Sequence, residues 1–457
     1  MKKEVTAIFD IGKTNKKFFL FDEDYKEVYR QYNKFEEIED EDGYSSENLP
    51  ALQQWLKALF DQILTSDTYD IKAINFSSYG ASFVHLDENG EVLTPLYNYT
   101  KPLPNLISEQ FFRKYGPKED FLKITGSMDD GMLNSGMQLY WLKQTKPEVF
   151  EKIKYSLHLP QYLSYIFTGI PLSEYTSVGC HTALWDYQAK DYHQWVYNEN
   201  INLKLPPLVS TETSINMNYN GKRVKIGVGI HDSSSALLPY IRSIKKDFLL
   251  VSTGTWSISI NPFANKPLTK TDLSNNCINY LRINGKSVKA SRLFLGREHE
   301  YQVSQLYDYY NVERGKHKEI PFDLELYQRL REENRKVFKW KFLQNKAEVS
   351  MSKIDFSTFE EAYHQLVMEL TYLQVESIKA AKGNKDIKRL YIDGGFSNNE
   401  IYINLLSHLL REMRLRTTNA SLGSALGAAI CIKDDTLNSK FLKKNYALKK
   451  HKPFIIA

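Results

Sequence analysis

The sequence predicts an α/β protein built as two large halves, and three observations lead there. The chain has 457 residues, which is more than one ordinary domain holds. Short apolar strands repeatedly end in polar, glycine-bearing turns and are followed by stretches with helical spacing. Finally, a hairpin with a hydroxyl- and glycine-bearing turn occurs twice, once at the N-terminus and again near residue 250.

The first hairpin runs from Val5 to Phe9, turns at Asp10-Ile11-Gly12-Lys13-Thr14-Asn15, and returns through Phe18-Phe19-Leu20-Phe21. A third strand is expected at Glu27 to Tyr32. Between Pro50 and Leu64, the residues Leu52, Leu56, Leu59, Phe60 and Ile63 recur at helical spacing. The strand Ala73 to Phe76 then ends in Ser77-Ser78-Tyr79-Gly80, and a further strand is expected at Phe83 to Leu86. From about Leu106 to Phe167 helical periodicity dominates, and the region reads as an insertion on the first domain.

A new strand from Lys225 to Val228 ends at Gly229-Ile230-His231-Asp232. The second hairpin follows: Phe248 to Val251, the turn Ser252-Thr253-Gly254-Thr255, and the return Trp256 to Ile260. Its layout echoes the first, which places a boundary near residue 240 and predicts domains 1–240 and 241–457. The second half continues with a long helix from Phe356 to Ala381, the strand Leu390 to Ile392, the turn Asp393 to Asn399, and a helix through Leu410. Ser421 to Cys431, rich in Ala and Gly, reads as a close-packed helix.

Composition excludes several classes. The formal charge is +5, with lysines dispersed among nearly as many carboxylates, so no polyanion-binding face and no nucleic-acid partner are expected. Cys180, Cys277 and Cys431 are far apart and lack C-x-x-C spacing, which argues against disulfides and thiolate metal sites and for a reducing compartment. Glu4 and Asp10 interrupt any leader-like apolar run, and no stretch of about 18 apolar residues is present. The expectation is a cytoplasmic chain with no membrane partner, and the ten histidines show no H-E-x-x-H spacing.

The two turns suit a phosphate chain, which needs backbone N–H groups, hydroxyls, a cation and glycine where the backbone must come close. Gly12, Lys13, Thr14, Asn15 and Lys17, with Lys16, supply these in the first turn; Ser252, Thr253, Gly254 and Thr255 supply them in the second. Asp10, at a strand end, is the expected magnesium ligand, with Asp232 beside it, since magnesium takes one or two carboxylates and keeps its remaining waters. Asp232 is the expected catalytic base toward a hydroxyl. The two carboxyls are expected to meet across a gap between the halves. Gly394, Gly395, Phe396, Asn399 and Gly423 are expected around the base and ribose of a nucleotide, because missing side chains admit a flat ring against the backbone. Taken singly each motif is also an ordinary turn or cap; their order, each at a strand end in a chain with two matching halves, carries the reading.

Those same segments resemble the FGGY family of carbohydrate kinases, and the resemblance spans almost the whole chain. Asp10 to Lys17 and Ser252 to Trp256 are similar to the family's two phosphate loops, and Gly229 to Asp232 to its base-bearing segment. Asp393 to Asn399 and Gly423 to Ala429 are similar to its adenine-side motifs. The resemblance implies two ribonuclease-H-like, actin-like ATPase domains with a catalytic cleft between them, using ATP and Mg2+ to phosphorylate a small sugar; a homodimer is compatible with it. Tyr79-Gly80-Ala81-Ser82-Phe83 is closer to the Trp-Gly-Val-Asp-Phe of rhamnulose kinases than to the Gln-x-His-Gly of xylulose kinases, but lacks the acid. Tyr97-Asn98-Tyr99-Thr100-Lys101 stands where rhamnulose kinases tend to have Tyr-Arg-Asp-x-Arg. The implied sugar contacts are Tyr79, Gly80, Ala81, Ser82, Asn98, Trp256, His231 and Asp232, and the implied substrate is a deoxy-ketohexose such as L-rhamnulose or L-fuculose. A pentulose or polyol acceptor, or a catalytically silent nucleotide-binding scaffold, are the competing readings.

Overall fold

Nine residues at the heart of the first half explain its sheet. In β1 (Lys3–Ile11) every residue from Val5 to Ile11 is buried, so the strand is covered on both faces and reads as one apolar run rather than an alternation. The structure, a computed structural model, describes residues 2–343, 356–419, 422–433 and 435–455. β1 pairs antiparallel with β2 (Lys16–Phe21), which pairs antiparallel with β3 (Glu27–Asn33). α1 (Leu49–Leu64) then crosses back; the Asn48 side chain caps it by accepting from the Ala51 N–H at 3.1 Å, and Pro50 sits in its first turn. Its apolar stripe lies in one core cluster with Val5, Phe9 and Phe18. β4 (Tyr69–Ser78) returns parallel to β1.

The region from 105 to 168 contains α2 (Asn105–Tyr115), α3 (Lys118–Thr125), α4 (Ser135–Thr145), α5 (Pro147–Lys152) and α6 (Leu159–Thr168), with a separate core around Phe111, Trp141 and Trp195. Helices dominate it, as expected, with one short strand among them. β5 (Phe83–Leu86) lies off the main sheet and pairs with β6 (Tyr155–His158), a strand too short to interrupt a helical pattern visibly. β7 (Ser214–Tyr219) was also unexpected: Ile215, Met217 and Tyr219 alternate with Ser214, Asn216 and Asn218, as an edge strand should, but the asparagines resemble a loop. It pairs with β8 (Lys222–Gly227), which joins β4, as does the short β9 (Ile230–His231). The sheet order is β7-β8-β4-β1-β2-β3.

α7 (Asp232–Ser243) leads to the second half, whose sheet repeats the plan. β10 (Leu249–Thr253) and β11 (Ser257–Asn261) form the second hairpin; Ser252 and Thr253 belong to the strand, so the turn is only Gly254 to Trp256. β12 (Cys277–Leu281) and β13 (Ser287–Leu293) extend it antiparallel, β13 lying beside β11. α8 (Leu295–Tyr310) and the long α9 (Phe359–Lys382) cover the sheet. β14 (Arg389–Gly394) lies parallel to β10 and β15 (Arg414–Thr417) parallel to β14, with α10 (Glu400–Leu409) between them in sequence. In both halves an antiparallel hairpin is followed by a return strand parallel to its first member, so the echo in the sequence is an echo in topology.

α11 (Gly423–Lys433) joins the halves; Ser421, where the sequence suggested it begins, lies outside the described residues. Its small residues let it cross α7 at van der Waals distance: a Cβ on Gly427 would lie 1.8 Å from the Ser235 carbonyl oxygen. Ala425, Ala428 and Ala429 share a core with Ile8 and Phe19 of the first sheet and Leu250 and Tyr391 of the second. The Asn75 side chain on β4 donates to the Ala428 carbonyl at 2.9 Å.

Candidate active site

Register brings Asp10 and Asp232 together. On β4, Ser77 and Ser78 face Asp10 and Ile11 of β1 on one side and Ile230 and His231 of β9 on the other. The two carboxylates therefore leave strands that flank the same neighbour, about 10 Å apart at two strand spacings. Both leave one sheet rather than opposite sides of a gap between the halves, and the Asp232 charge bears on Asp10. Asp10 is buried, and burial pushes its pKa up; Lys17 and Ser424 pull it down, and the Asp232 charge adds to the rise. Lys17 Nζ lies 3.7 Å from Asp10 Oδ2. Ser424 comes from α11, so the second half reaches this carboxylate too. Asp232 opens α7; its Oδ1 accepts from Ser233 Oγ at 3.2 Å and lies 3.4 Å from His231 Nε2. Its side chain is 37% exposed while that of Asp10 is 9% exposed, so Asp232 is the carboxylate open to a ligand.

The first turn closes with the Gly12 N–H donating to the Asn15 carbonyl at 3.0 Å, and a Cβ on Gly12 would stand 3.1 Å from that oxygen. Thr14 and Asn15 are exposed at its tip. Lys13 pairs with Glu37. Lys16, whose charge the sequence suggested for phosphate, points the other way: its buried ammonium donates to the Gly12 and Lys13 carbonyls at 3.2 and 3.1 Å and to Glu47 Oε2 at 2.8 Å. It braces the turn from behind.

In the second half, Gly254, Thr255, Gly395, Phe396 and Asn399 line one cavity of about 670 Å³. Thr253 Oγ1 donates to the Asp393 carbonyl at 2.5 Å and accepts from the Phe396 N–H at 3.1 Å, tying the second turn to the strand end beside it. Gly394 has φ +82°, and a Cβ there would meet the Thr253 carbonyl oxygen at 1.8 Å, so only glycine fits. Ser252 hydrogen-bonds the Asp393 carboxyl, which burial pushes up to about 6. Asn399 caps α10 by accepting from the Tyr402 N–H and donates to Tyr363 Oη at 2.8 Å. His299, which the sequence reading missed, meets the same hydroxyl at 3.1 Å, packs on Phe396 and is held neutral by burial, its pKa pushed down to about 3. Gly423 stands apart from this group: it opens α11 one residue before Ser424 and so lies on the Asp10 side.

Residues 5–237 match the model of the FGGY family of carbohydrate kinases, N-terminal domain, which is half of the chain. The chain belongs to the FGGY family of carbohydrate kinases. Among relatives of this FGGY chain, a rhamnulokinase from Oceanobacillus iheyensis is 26% identical over 204 residues, 42% of this chain and 41% of that one. The L-fuculokinase of Escherichia coli K12 is 24% identical over 271 residues, 56% of each. The chain thus spans about half the length of the curated relatives it matches, or less. A solved carbohydrate kinase from Novosphingobium aromaticivorans superposes with a TM-score of 0.82 at 21% identity, covering 99% of this chain and 95% of that one. This shared fold is the two-domain actin-like ATPase arrangement that the two sheets display.

The residues that the FGGY resemblance placed near a sugar divide into two groups. Gly80 lies against His231: a Cβ there would come within 2.8 and 2.9 Å of the imidazole Cδ2 and Nε2, so glycine is what admits that ring beside Asp232. Trp256 stacks on Phe294 at 4.3 Å and remains 39% exposed. The others are tied into the fold. Tyr79 is buried with its hydroxyl donating to Glu47 at 3.1 Å. Buried Ala81 and Ser82 offer their carbonyls to Gln138 Nε2 and the Leu159 N–H. Asn98 Oδ1 accepts from the Thr100 N–H and hydroxyl at 3.0 and 2.9 Å. Sequence reasoning also missed Glu47, which holds Lys16 and Tyr79 together, and Tyr280, whose ring faces both His231 and His181. Their partners are far away in sequence, and no local spacing announces them.

Proposed function

We propose that this FGGY chain is an ATP-dependent sugar kinase that transfers the γ-phosphate to a hydroxyl of a small ketose, a deoxy-ketohexose such as L-rhamnulose or L-fuculose. The observation that carries the reading is the pairing of an open carboxylate, Asp232, with a buried one, Asp10, at the ends of strands on either side of β4. In this reading residues 1–240 hold the sugar and the first phosphate loop, and residues 241–457 hold the nucleotide in the cavity at Phe396 and Asn399.

The sugar hydroxyl gives its proton to Asp232 as its oxygen attacks the γ-phosphorus and ADP leaves, and His231 fixes the carboxylate's orientation. The Gly12 and Gly254 turns present backbone N–H groups to the phosphates, and Lys17 adds charge. The residues fit a magnesium ion. Burial and Asp232 both raise the cost of charge on Asp10, a cost a cation would offset, so Asp10, with Asp232 beside it, would hold the ion. When bound, magnesium neutralises charge developing on the phosphates. No helix among the described residues is long and apolar enough to cross a membrane.

The test is ADP release by the purified chain with ATP and a panel of ketohexoses, deoxy-ketohexoses, pentuloses and polyols. Turnover on L-rhamnulose or L-fuculose well above the others is expected. Preference for a pentulose or polyol would move the substrate within the family, and nucleotide binding without transfer to any acceptor would make the chain a scaffold.

A further inference from the structure

A second cavity, of about 480 Å³, lies beside the candidate active site and draws its walls from both halves. Asp130 comes from the helical region of the first half; Trp256, Asn276, Arg292, Phe294 and Lys341 come from the second. Trp256 is the last residue of the second turn, so the cavity begins at the end of that turn. Its floor is Arg292 on β13, buried at 7% exposure. The guanidinium donates through Nη1 to Asp130 Oδ2 at 2.7 Å and through Nη2 to Asn276 Oδ1 at 2.8 Å, and its Cζ lies 5.5 Å from the centre of the Trp256 ring.

The Tyr280 ring lies 6.4 Å from that of His231, the neighbour of Asp232, and 6.0 Å from that of His181. The charges of Arg292 and Asp232 both bear on Cys180 and Tyr280, in opposite senses. The buried His231 Nδ1 has no hydrogen-bond partner in the protein, a polar atom left for a ligand. In the loop at 97–101, Asn98 Oδ1 is taken by Thr100 and Lys101 is held by Asp40 and Asp42 at 2.7 Å each.

We propose that Arg292 and Asp130 form the sugar-reading pair of this kinase, bridging the two halves and hydrogen-bonding vicinal hydroxyls of the ketose while Trp256 covers its apolar face. A guanidinium supplies donors and a carboxylate acceptors in fixed geometry, which matches two adjacent hydroxyls, and an indole face suits the C–H face of a deoxysugar. Because the pair spans the halves, sugar bound there is also gripped from both sides. This assignment rests on the kinase reading above and deepens it by naming the residues that select the sugar.

The test uses the full chain with the best ketose from the panel, comparing wild type with Arg292→Gln, Arg292→Lys and Asp130→Asn. Asp130 is 31% exposed at its side chain, so its substitution should leave folding intact even if Arg292→Gln does not fold. The expected result is a KM for the ketose raised about 10- to 100-fold by Arg292→Gln and Asp130→Asn, with the KM for ATP within about twofold of wild type and partial recovery in Arg292→Lys. Discrimination between ketoses epimeric at one hydroxyl should fall in parallel, which a merely structural ion pair would not produce. Unchanged ketose KM and epimer preference in a folded Asp130→Asn enzyme would overturn the assignment while leaving the kinase reading standing; a wild-type chain that phosphorylates no acceptor would remove both.

Discussion

Lys16 and Glu47 form an ion pair with side chains only 3% and 2% exposed, 2.8 Å apart, directly behind the first turn. The pair organises three things: the Lys16 ammonium holds the Gly12 and Lys13 carbonyls, and Glu47 also accepts from Tyr79, at the start of the loop 79–83. Removing one member leaves the other charge buried without compensation, which costs far more than the intact pair contributes. Glu47→Gln is expected to lose about 3–5 kcal/mol of stability, read from urea unfolding, and to raise the KM for ATP as the turn loosens. The double variant Lys16→Met/Glu47→Gln should recover most of the stability. Unfolding of Glu47→Gln at the wild-type urea concentration would show that the pair is not what holds the turn.

A second expectation concerns Gly80. An added methyl would stand 2.8 Å from the His231 ring, so the imidazole must move, and with it the group that orients Asp232. Gly80→Ala should lower kcat about 10- to 100-fold, because a displacement near 1 Å in a reacting constellation costs that much, while the affinity for ATP, bound by other elements, stays as it was. Wild-type kcat in this variant would separate His231 from the chemistry.

Much of this site was legible in the sequence because each motif sits at the end of an apolar strand, and strand ends are where side chains leave the sheet together. Asp10, Ser77 and His231 could be placed in this way before any contact was known, and close packing of α11 followed from Gly427 and its small neighbours, though not the helix it packs against. Direction was not legible. Lys16 and Lys17 are adjacent in sequence, yet alternation along β2 sends one inward to Glu47 and leaves the other beside Asp10. Arg292 was invisible for a different reason: its partner Asp130 lies 162 positions away, and neither residue belongs to a local pattern.

Asp393 yields a prediction about pH. Burial raises its pKa on folding from 3.8 to about 6, with Ser252 and Tyr240 opposing the rise by hydrogen bonding. A carboxyl raised in this way favours the folded state fully below the unfolded value, and that contribution is lost as the pH rises through about 6. Asp393→Asn keeps the shape and cannot titrate. Compared with this variant, the wild type should gain up to about 3 kcal/mol of unfolding free energy as the pH falls from 7 to 4, measured by urea titration of both proteins at several pH values. Parallel curves for the two proteins across that range would mean that Asp393 titrates as it does in the unfolded chain.

The last prediction separates transfer from binding. Asp232 is the more open of the two carboxylates and stands first in α7, whereas the cavity at Gly254, Phe396 and Asn399 belongs entirely to the second half. If Asp232 takes the proton from the attacking hydroxyl, Asp232→Asn removes the base and leaves the nucleotide's surroundings intact. Turnover should fall by about 10²- to 10⁴-fold, the usual contribution of a positioned base, while titration with a fluorescent ATP analogue gives a dissociation constant within about twofold of wild type. Replacing Asp232 also removes a negative charge that raises the Asp10 pKa, so the Asp10 carboxylate becomes easier to ionise. Wild-type turnover in Asp232→Asn would take the base out of this residue, and a matching loss of ATP affinity would make Asp232 a nucleotide ligand instead of a catalytic residue.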